Sequence, residues 1–446
     1  MKKLQILLVA SLIFALVACE PTINTPVGTK KLGTLGADNT SLVYVAIGTS
    51  MSAGTQSYAC FAEATKYSFP NLFAGQMGVS TFVQPDYAEP GLGLRYMLRG
   101  FTSAGLPILD MVQLAGGVTN SNYAKPYNNL GIWGAIAYDL IDTSNFAARG
   151  VARENPYYVP VLRNPQLGAS MVDQAISLAP NLITFEMGAN DVLGYAKSGG
   201  AISTTIVNGE PIPTPVASME QIFTGALMKL TTALPNTKII LFTVPNVLGV
   251  PFFKTVPWNA LLIDGATATK LNAAYGQLGF TFAAGANGFV AESPKSPGKL
   301  RQLTAEDYLL LSVPQSELAK GMGSIKPIPN QYVLDKFEAT IVSRTVTEYN
   351  SMIRGLTAIS KNNNIIIFDL DQMLTNVINN GYAVPGGTTM TNKFISGEMF
   401  SLDGFHPTSR GQGAIANELI KFINLTFGAD IPLVNLPSLP PNYVNP

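Results

Sequence analysis

The chain has 446 residues with 28 basic and 28 acidic side chains, and only 13% of its residues are charged. Zero formal net charge leaves no Lys/Arg surplus for phosphate-rich nucleic acid, while 47% hydrophobic residues suit a large core rather than disorder. One histidine and two cysteines exclude most His/Cys metal centres, which need three or four such ligands together.

Lys2 and Lys3 precede the largely apolar run Leu4 to Ala18. That run is shorter than the ~20 residues needed to span a bilayer and suits a signal-peptide core. It ends in Leu16-Val17-Ala18-Cys19, which resembles the lipobox of bacterial lipoproteins. The resemblance implies removal of residues 1–18, acylation of Cys19 and attachment to a membrane of the cell envelope. An ordinary secretory signal with a chance cysteine is the alternative. Cys60 is then the sole free thiol, read as a small buried hydrophobe. Residues 19–40, rich in Gly, Thr, Pro and Asn, read as a flexible tether.

From about residue 41 the pattern alternates. Short apolar runs at Leu42–Ile47, Leu182–Met187, Ile239–Val244 and Ile365–Leu370 suit strands buried on both faces. Helical periodicity occupies Met171–Leu178, Leu271–Phe282 and Leu334–Ile359, and a last helix follows Pro407 with Thr408 as its cap. Strands alternating with helices predict a three-layer α/β domain with a mostly parallel central sheet, over residues 41–430. Segments near 85–128 and 284–330 read as loop insertions rather than a second domain. The proline-rich tail 431–446 is expected to lie extended over the surface.

Four blocks carry chemistry. Gly48-Thr49-Ser50-Met51-Ser52-Ala53-Gly54 follows the first strand, where an α/β fold places ligands, although a serine in a glycine turn is commonly structural. Asn129 to Ala135 holds Gly131 and Gly134, whose backbone could approach a ligand closely. Gly188-Ala189-Asn190-Asp191 follows the strand ending at Met187, so Asn190 either caps a helix or aims its amide into the cleft. Asp403-Gly404-Phe405-His406-Pro407 holds the only histidine, three residues after an aspartate. A serine hydroxyl needs a base to become a nucleophile, so a histidine-dependent serine hydrolase would have to use His406. Asp403 is the natural partner to orient its ring.

In order and spacing these blocks resemble the SGNH, or GDSL-type, hydrolase superfamily, and the resemblance extends from about residue 42 to 426. It implies a flavodoxin-like sandwich and ester hydrolysis through an acyl-enzyme. Ser50 is then the nucleophile, and Asp403 with His406 the acid–base pair. The oxyanion hole falls to Ser50, Gly134 and Asn190, with Gly131 and Gly105 as substitutes for Gly134. No metal or organic cofactor is implied. The motif's Asp and Leu are here Thr49 and Met51. If that Asp only steadies the turn, Thr49→Asp is expected to maintain or raise kcat.

The expected substrate is an ester with an apolar acyl chain, held beside aromatic insertions such as Asn122–Tyr127, on an enzyme tethered to a bilayer by Cys19. Two alternatives stay open: a carbohydrate O-deacetylase, and a degenerate lipoprotein that binds lipid or glycan without cleaving it.

Overall fold

The computed structural model describes residues 32–36, 40–101, 107–143, 155–201, 213–360 and 362–442. The signal sequence, Cys19, most of the tether and Gly105 lie outside the described residues.

Five strands form one parallel sheet: β1 (Tyr44–Gly48), β2 (Asn129–Gly131), β3 (Leu182–Glu186), β4 (Lys238–Phe242) and β5 (Ile365–Phe368). Their spatial order is β2-β1-β3-β4-β5, and every pairing is parallel. This is the flavodoxin-like order, whose ligand cleft opens where the chain reverses direction, beside β1 and β3. Four of these strands fall on the apolar runs of the sequence, with their ends shifted by at most two residues. The fifth, β2, was legible only as a glycine-bearing block, because three residues carry no periodicity.

The buried faces explain the apolar runs. Val45, Ile47, Ile183, Phe185, Ile239 and Leu241 are all fully buried. Phe185 pairs in register with Leu241, so Phe242 points to the other side of the sheet. Phe185 packs edge-on against Phe223, and Phe242 packs against Phe69. Helices therefore cover both faces: α2 (Phe69–Met77) lies on one and α5 (Val216–Ala233) on the other. The C-terminal helix α7 (Ser409–Phe427) packs on α2, while α3 (Met171–Ser177), α4 (Asn190–Lys197) and α6 (Lys336–Gly355) gather with α5. The short helix α1 (Ser50–Ala53) grows directly out of β1.

Helix boundaries follow local capping. Thr408 caps α7 by accepting from the Gly411 N–H, as the sequence suggested. Asp335 and Glu338 form a reciprocal capping box that starts α6 at Lys336. The helix expected over Leu271–Phe282 instead spans Gly265–Tyr275. Asp264 starts it early by accepting from the Thr267 N–H, and the chain tightens to a 3₁₀ turn at Gly276–Leu278.

The insertions build structure of their own. Leu92–Phe101 and Pro107–Ala115 pair as an antiparallel hairpin. Residues 256–333 bury a satellite cluster around Phe289, Leu303, Leu309 and Ile328. In the tail, Ile431, Val434, Leu436 and Leu439 are buried in the main core while Leu433, Asn435, Pro437 and Ser438 between them stay exposed, so the segment lies along the surface with one side set into the core. Asn417 of α7 both donates to and accepts from Val434 of the tail, which ties the tail down. Among the described residues no helix is long and apolar enough to cross a membrane.

Candidate active site

The carboxyl ends of β1 and β3 meet in register, Gly48 opposite Glu186. Glu186 is the one charged residue of its strand and is fully enclosed. Its carboxylate accepts the Thr49 N–H at 3.0 Å, the Thr49 hydroxyl at 2.9 Å and the Ser52 hydroxyl at 2.9 Å. A side chain at Gly48 would have its Cβ 2.0 Å from Ser52 Oγ, so only glycine leaves room for this contact. Burial pushes the Glu186 pKa up to about 7, against the opposing pull of the Thr49 and Ser52 hydrogen bonds. Thr49 also caps α1, its Oγ1 accepting the Met51 N–H. Ser50 is thus the first residue of a helix whose entry is held from below by an acid.

The C-terminal block arrives opposite. His406 Nε2 lies 2.7 Å from Ser50 Oγ, and His406 Nδ1 lies 2.7 Å from Asp403 Oδ2. Asp403 is completely buried, which works against its charge. The attraction and hydrogen bond of His406, with backbone N–H donors of His406 and Phe405, outweigh that cost and hold its pKa below the usual carboxylate range. An ionised Asp403 only accepts, so the proton of neutral His406 belongs on Nδ1 and the Nε2 lone pair faces the serine hydroxyl. Such a relay can take the proton of Ser50 as its oxygen becomes a nucleophile.

A second contact fixes Asp403 from the nucleophile's side. Ser57 and Tyr58 both adopt left-handed backbone, with φ of 50° and 74°. Such conformations cost about 1–3 kcal/mol each for non-glycine residues. In return the Ser57 N–H donates to Ser401 Oγ, and the Tyr58 N–H donates to Asp403 Oδ2 at 2.7 Å.

Asn190 opens α4 without capping it, because the cap position is Ala189 and no side chain serves there. Its amide donates to the Ala135 carbonyl at 2.8 Å and lines the cavity over Ser50. Asp191 turns inward, accepting the Ala137 N–H and the Thr214 hydroxyl. The two halves of the Asn190-Asp191 pair thus lock the loop after β2 against α4. Within that loop Gly134 has φ of 72°, a conformation that favours glycine. Gly131 is excluded as a substitute donor, since its N–H is taken by Asn129 Oδ1.

The cavity over Ser50 measures about 70 Å³ and is walled largely by apolar side chains, including Met51, Leu193, Val247, Val250, Leu374 and Phe400. Tyr123 and Tyr127, expected beside the acyl group, do not line it. They stack on each other, with the Arg163 guanidinium 4.0 Å from the Tyr127 ring centre. Cys60 is buried and hydrogen-bonded to Thr55, and burial pushes its thiol up to about 12. It is an inert hydrophobe, as expected. Among the described residues no three His, Cys, Asp or Glu side chains gather to hold a metal ion.

Sequence reasoning missed Glu186, Ser52 and Tyr58. Glu186 left a signal, an acid closing an otherwise uncharged buried strand. Tyr58 left none, because it acts through its backbone.

The profile of the GDSL-like Lipase/Acylhydrolase family matches residues 44–419, which contain all of these groups. The chain belongs to that family. A crystal structure of a "putative GDSL-like lipase" from Parabacteroides merdae resembles this GDSL-like chain at 13% identity and a TM-score of 0.35, covering 87% of this chain and 97% of the other. No curated protein matches the sequence. Family membership makes ester hydrolysis the general chemistry of the fold.

Against the family motif, the missing carboxylate at position 49 is replaced by one from β3. The expectation for Thr49→Asp therefore reverses. An Asp would lose the donor that Glu186 needs and set two acids in one buried site, where one must stay protonated. This variant should lose kcat at least tenfold, about 1.4 kcal/mol of transition-state stabilisation, in an ester hydrolysis assay. Retained turnover would show that Glu186 can yield its place.

A second prediction concerns pH. The folded-state pKa of Glu186, about 7, exceeds its ordinary 4.5, so between these values the folded protein binds more protons than the unfolded one. Wild-type stability should therefore fall, relative to Glu186→Gln, as pH rises from about 4.5 to 7, and the difference should level off above that. Denaturant unfolding of both proteins across pH 4 to 8 checks this. Parallel curves would contradict it.

Proposed function

We propose that this protein is a serine esterase that cleaves short-chain carboxylic esters through an acyl-enzyme at Ser50. The observation carrying the reading is the relay of Ser50 Oγ, His406 and Asp403, with both links at 2.7 Å. Ser50 Oγ attacks the ester carbonyl carbon while His406 Nε2 takes the hydroxyl proton. Asp403 stabilises the imidazolium and keeps its ring in line. The carbonyl oxygen gains the negative charge, and the family resemblance assigns its stabilisation to the Ser50 and Gly134 backbone N–H groups and to the Asn190 amide, of which Ser50 and Asn190 line the cavity. One such donor is worth about 3 kcal/mol of transition-state stabilisation. Collapse breaks the bond to the alcohol oxygen, which leaves with the proton from His406. Water then attacks the acyl-enzyme by the same route, giving the carboxylic acid and restoring Ser50.

The small cavity supports a short acyl group, because pockets for drug-sized ligands run to ~300–1,000 Å³. Acetyl and similar groups fit it better than a long lipid chain, which keeps O-deacetylation of a carbohydrate within the reading. The lipobox resemblance of Leu16 to Cys19 supports a further element, a lipid anchor on the bacterial envelope.

Ser50→Ala should abolish hydrolysis of acetyl esters and labelling by a fluorophosphonate probe, while the melting temperature stays close to that of the parent. Labelling of a folded Ser50→Ala protein would move the nucleophile elsewhere. No labelling of wild type would favour the binding-protein alternative. Cys19→Ala, correctly cleaved, should move from the membrane to the soluble fraction on cell fractionation. Persistent membrane association would count against the anchor.

A further inference from the structure

The helix that begins at Asn190 ends in a lysine that the catalytic relay does not use. Asn190, Leu193 and Lys197 fall at i, i+3 and i+7, so they share one face of α4. The first two line the cavity over Ser50. Lys197 lies about 10 Å farther along the axis, and helical side chains lean back toward the N-terminus, here toward the cavity.

Lys197 Nζ lies 5.4, 5.9 and 5.6 Å from the ring centres of Tyr58, Trp133 and Phe405. Each of these rings is next to a group of the proposed machinery. Phe405 precedes His406 and packs 4.5 Å from its ring, Trp133 precedes Gly134, and Tyr58 gives its N–H to Asp403.

Two donors here lack acceptors among the described residues. Among the described residues no carboxylate or carbonyl accepts from Lys197 Nζ, which is half-buried. The nearby Trp133 Nε1 is buried and also has no partner. Burial pulls the Lys197 pKa down from its ordinary value, against the attraction of Asp403, which cannot serve as its ion-pair partner. Asp403 Oδ1 takes the N–H groups of Phe405 and His406, and its Oδ2 takes His406 Nδ1 and the Tyr58 N–H. Cation–π attraction, about 0.5–2 kcal/mol, orients the ammonium but does not neutralise it.

Buried without a countercharge, the Lys197 ammonium is disfavoured, and while charged it is a burden on general-base chemistry, because it repels the imidazolium formed during attack. A substrate that brings its own negative charge removes that burden while it is bound. We infer that Lys197, with Trp133 Nε1, forms a recognition site for an anionic group on the alcohol portion of the ester, a carboxylate or a phosphate. The acyl group then occupies the apolar cavity and the acidic alcohol portion lies against the aromatic cage. This rests on the esterase reading for its kinetic consequence, and not for its binding consequence.

The test compares phenyl acetate with its 4-carboxylate, 4-phosphate and 4-trimethylammonium analogues, in wild type, Lys197→Met and Lys197→Arg. The ratio of kcat/KM between wild type and variant cancels the intrinsic reactivity of each ester. For the two anionic esters Lys197→Met should lower kcat/KM at least tenfold more than it does for the cationic one, mostly through KM, and Lys197→Arg should restore part of that difference. Equal losses across the esters would overturn the inference. The carboxylate and phosphate arms tell which anion is preferred. Calorimetric titration of wild type with 4-hydroxybenzoate and with phenol tests binding without turnover, and without relying on any variant to fold. Tighter binding of the anion supports the site, and equal or weaker binding refutes it. Failure of every ester to hydrolyse would instead count against the esterase reading, and leave the titration to decide the anion site.

Discussion

A buried acid beneath a turn organises this active site. Glu186 stands at the end of β3 with no countercharge among the described residues, and hydroxyl and N–H donors from Thr49 and Ser52 satisfy its oxygens. Leaving such a carboxylate without donors would cost several kcal/mol or keep it protonated. The need to satisfy it therefore pins Thr49, and Thr49 in turn fixes the start of the helix that carries Ser50. Gly48 is the steric counterpart, since any larger residue would occupy the position of Ser52 Oγ. The family's usual solution places the acid on the nucleophile's own turn. Here the acid stands on β3, one strand over from the turn, and the turn supplies the donors that hold it.

The chain's sequence revealed the sheet well because burial on both faces leaves little choice of residue. Runs such as Tyr44–Ile47 and Ile239–Phe242 are apolar without alternation, and only a strand between two helical layers uses that pattern economically. The second strand was hidden because Asn129–Gly131 is short and half polar. The relay residues were legible because chemistry restricts them: one histidine in the whole chain permits one base. The supporting shell was not legible, for two reasons. Tyr58 contributes a backbone donor, which any residue could supply, and Trp133 and Lys197 become neighbours only through the packing of the loop after β2 against α4, segments distant in sequence. The tail's buried side was not legible because prolines exclude helix but do not prevent burial, as Leu436 and Leu439 show.

Strain and rigidity are arranged around the same point. Two successive left-handed residues, Ser57 and Tyr58, are tolerated where they reach Ser401 and Asp403, and the hairpin anchors them through the Tyr96 N–H to the Ser57 carbonyl. The insertion thus has a structural task at the site even though its tyrosines at 123 and 127 are remote from it. Pre-set hydrogen bonds of this kind need no reorganisation when charge develops, which is what efficient acyl transfer requires of its surroundings.

The contacts between the two ends of the domain have a consequence for when the chain becomes active. Ser50 and His406 are 356 residues apart, and the same seam is closed by Gln56 with Ser409 and by Gln412 with the Met51 carbonyl and the Phe69 N–H. Contacts of such long range form only after the entropy of a very large loop has been overcome. A partly synthesised chain therefore carries its serine without the histidine beside it. Once closed, the seam makes reactivity a reporter of the whole fold, because any opening that frees the C-terminal helix draws the histidine out of reach.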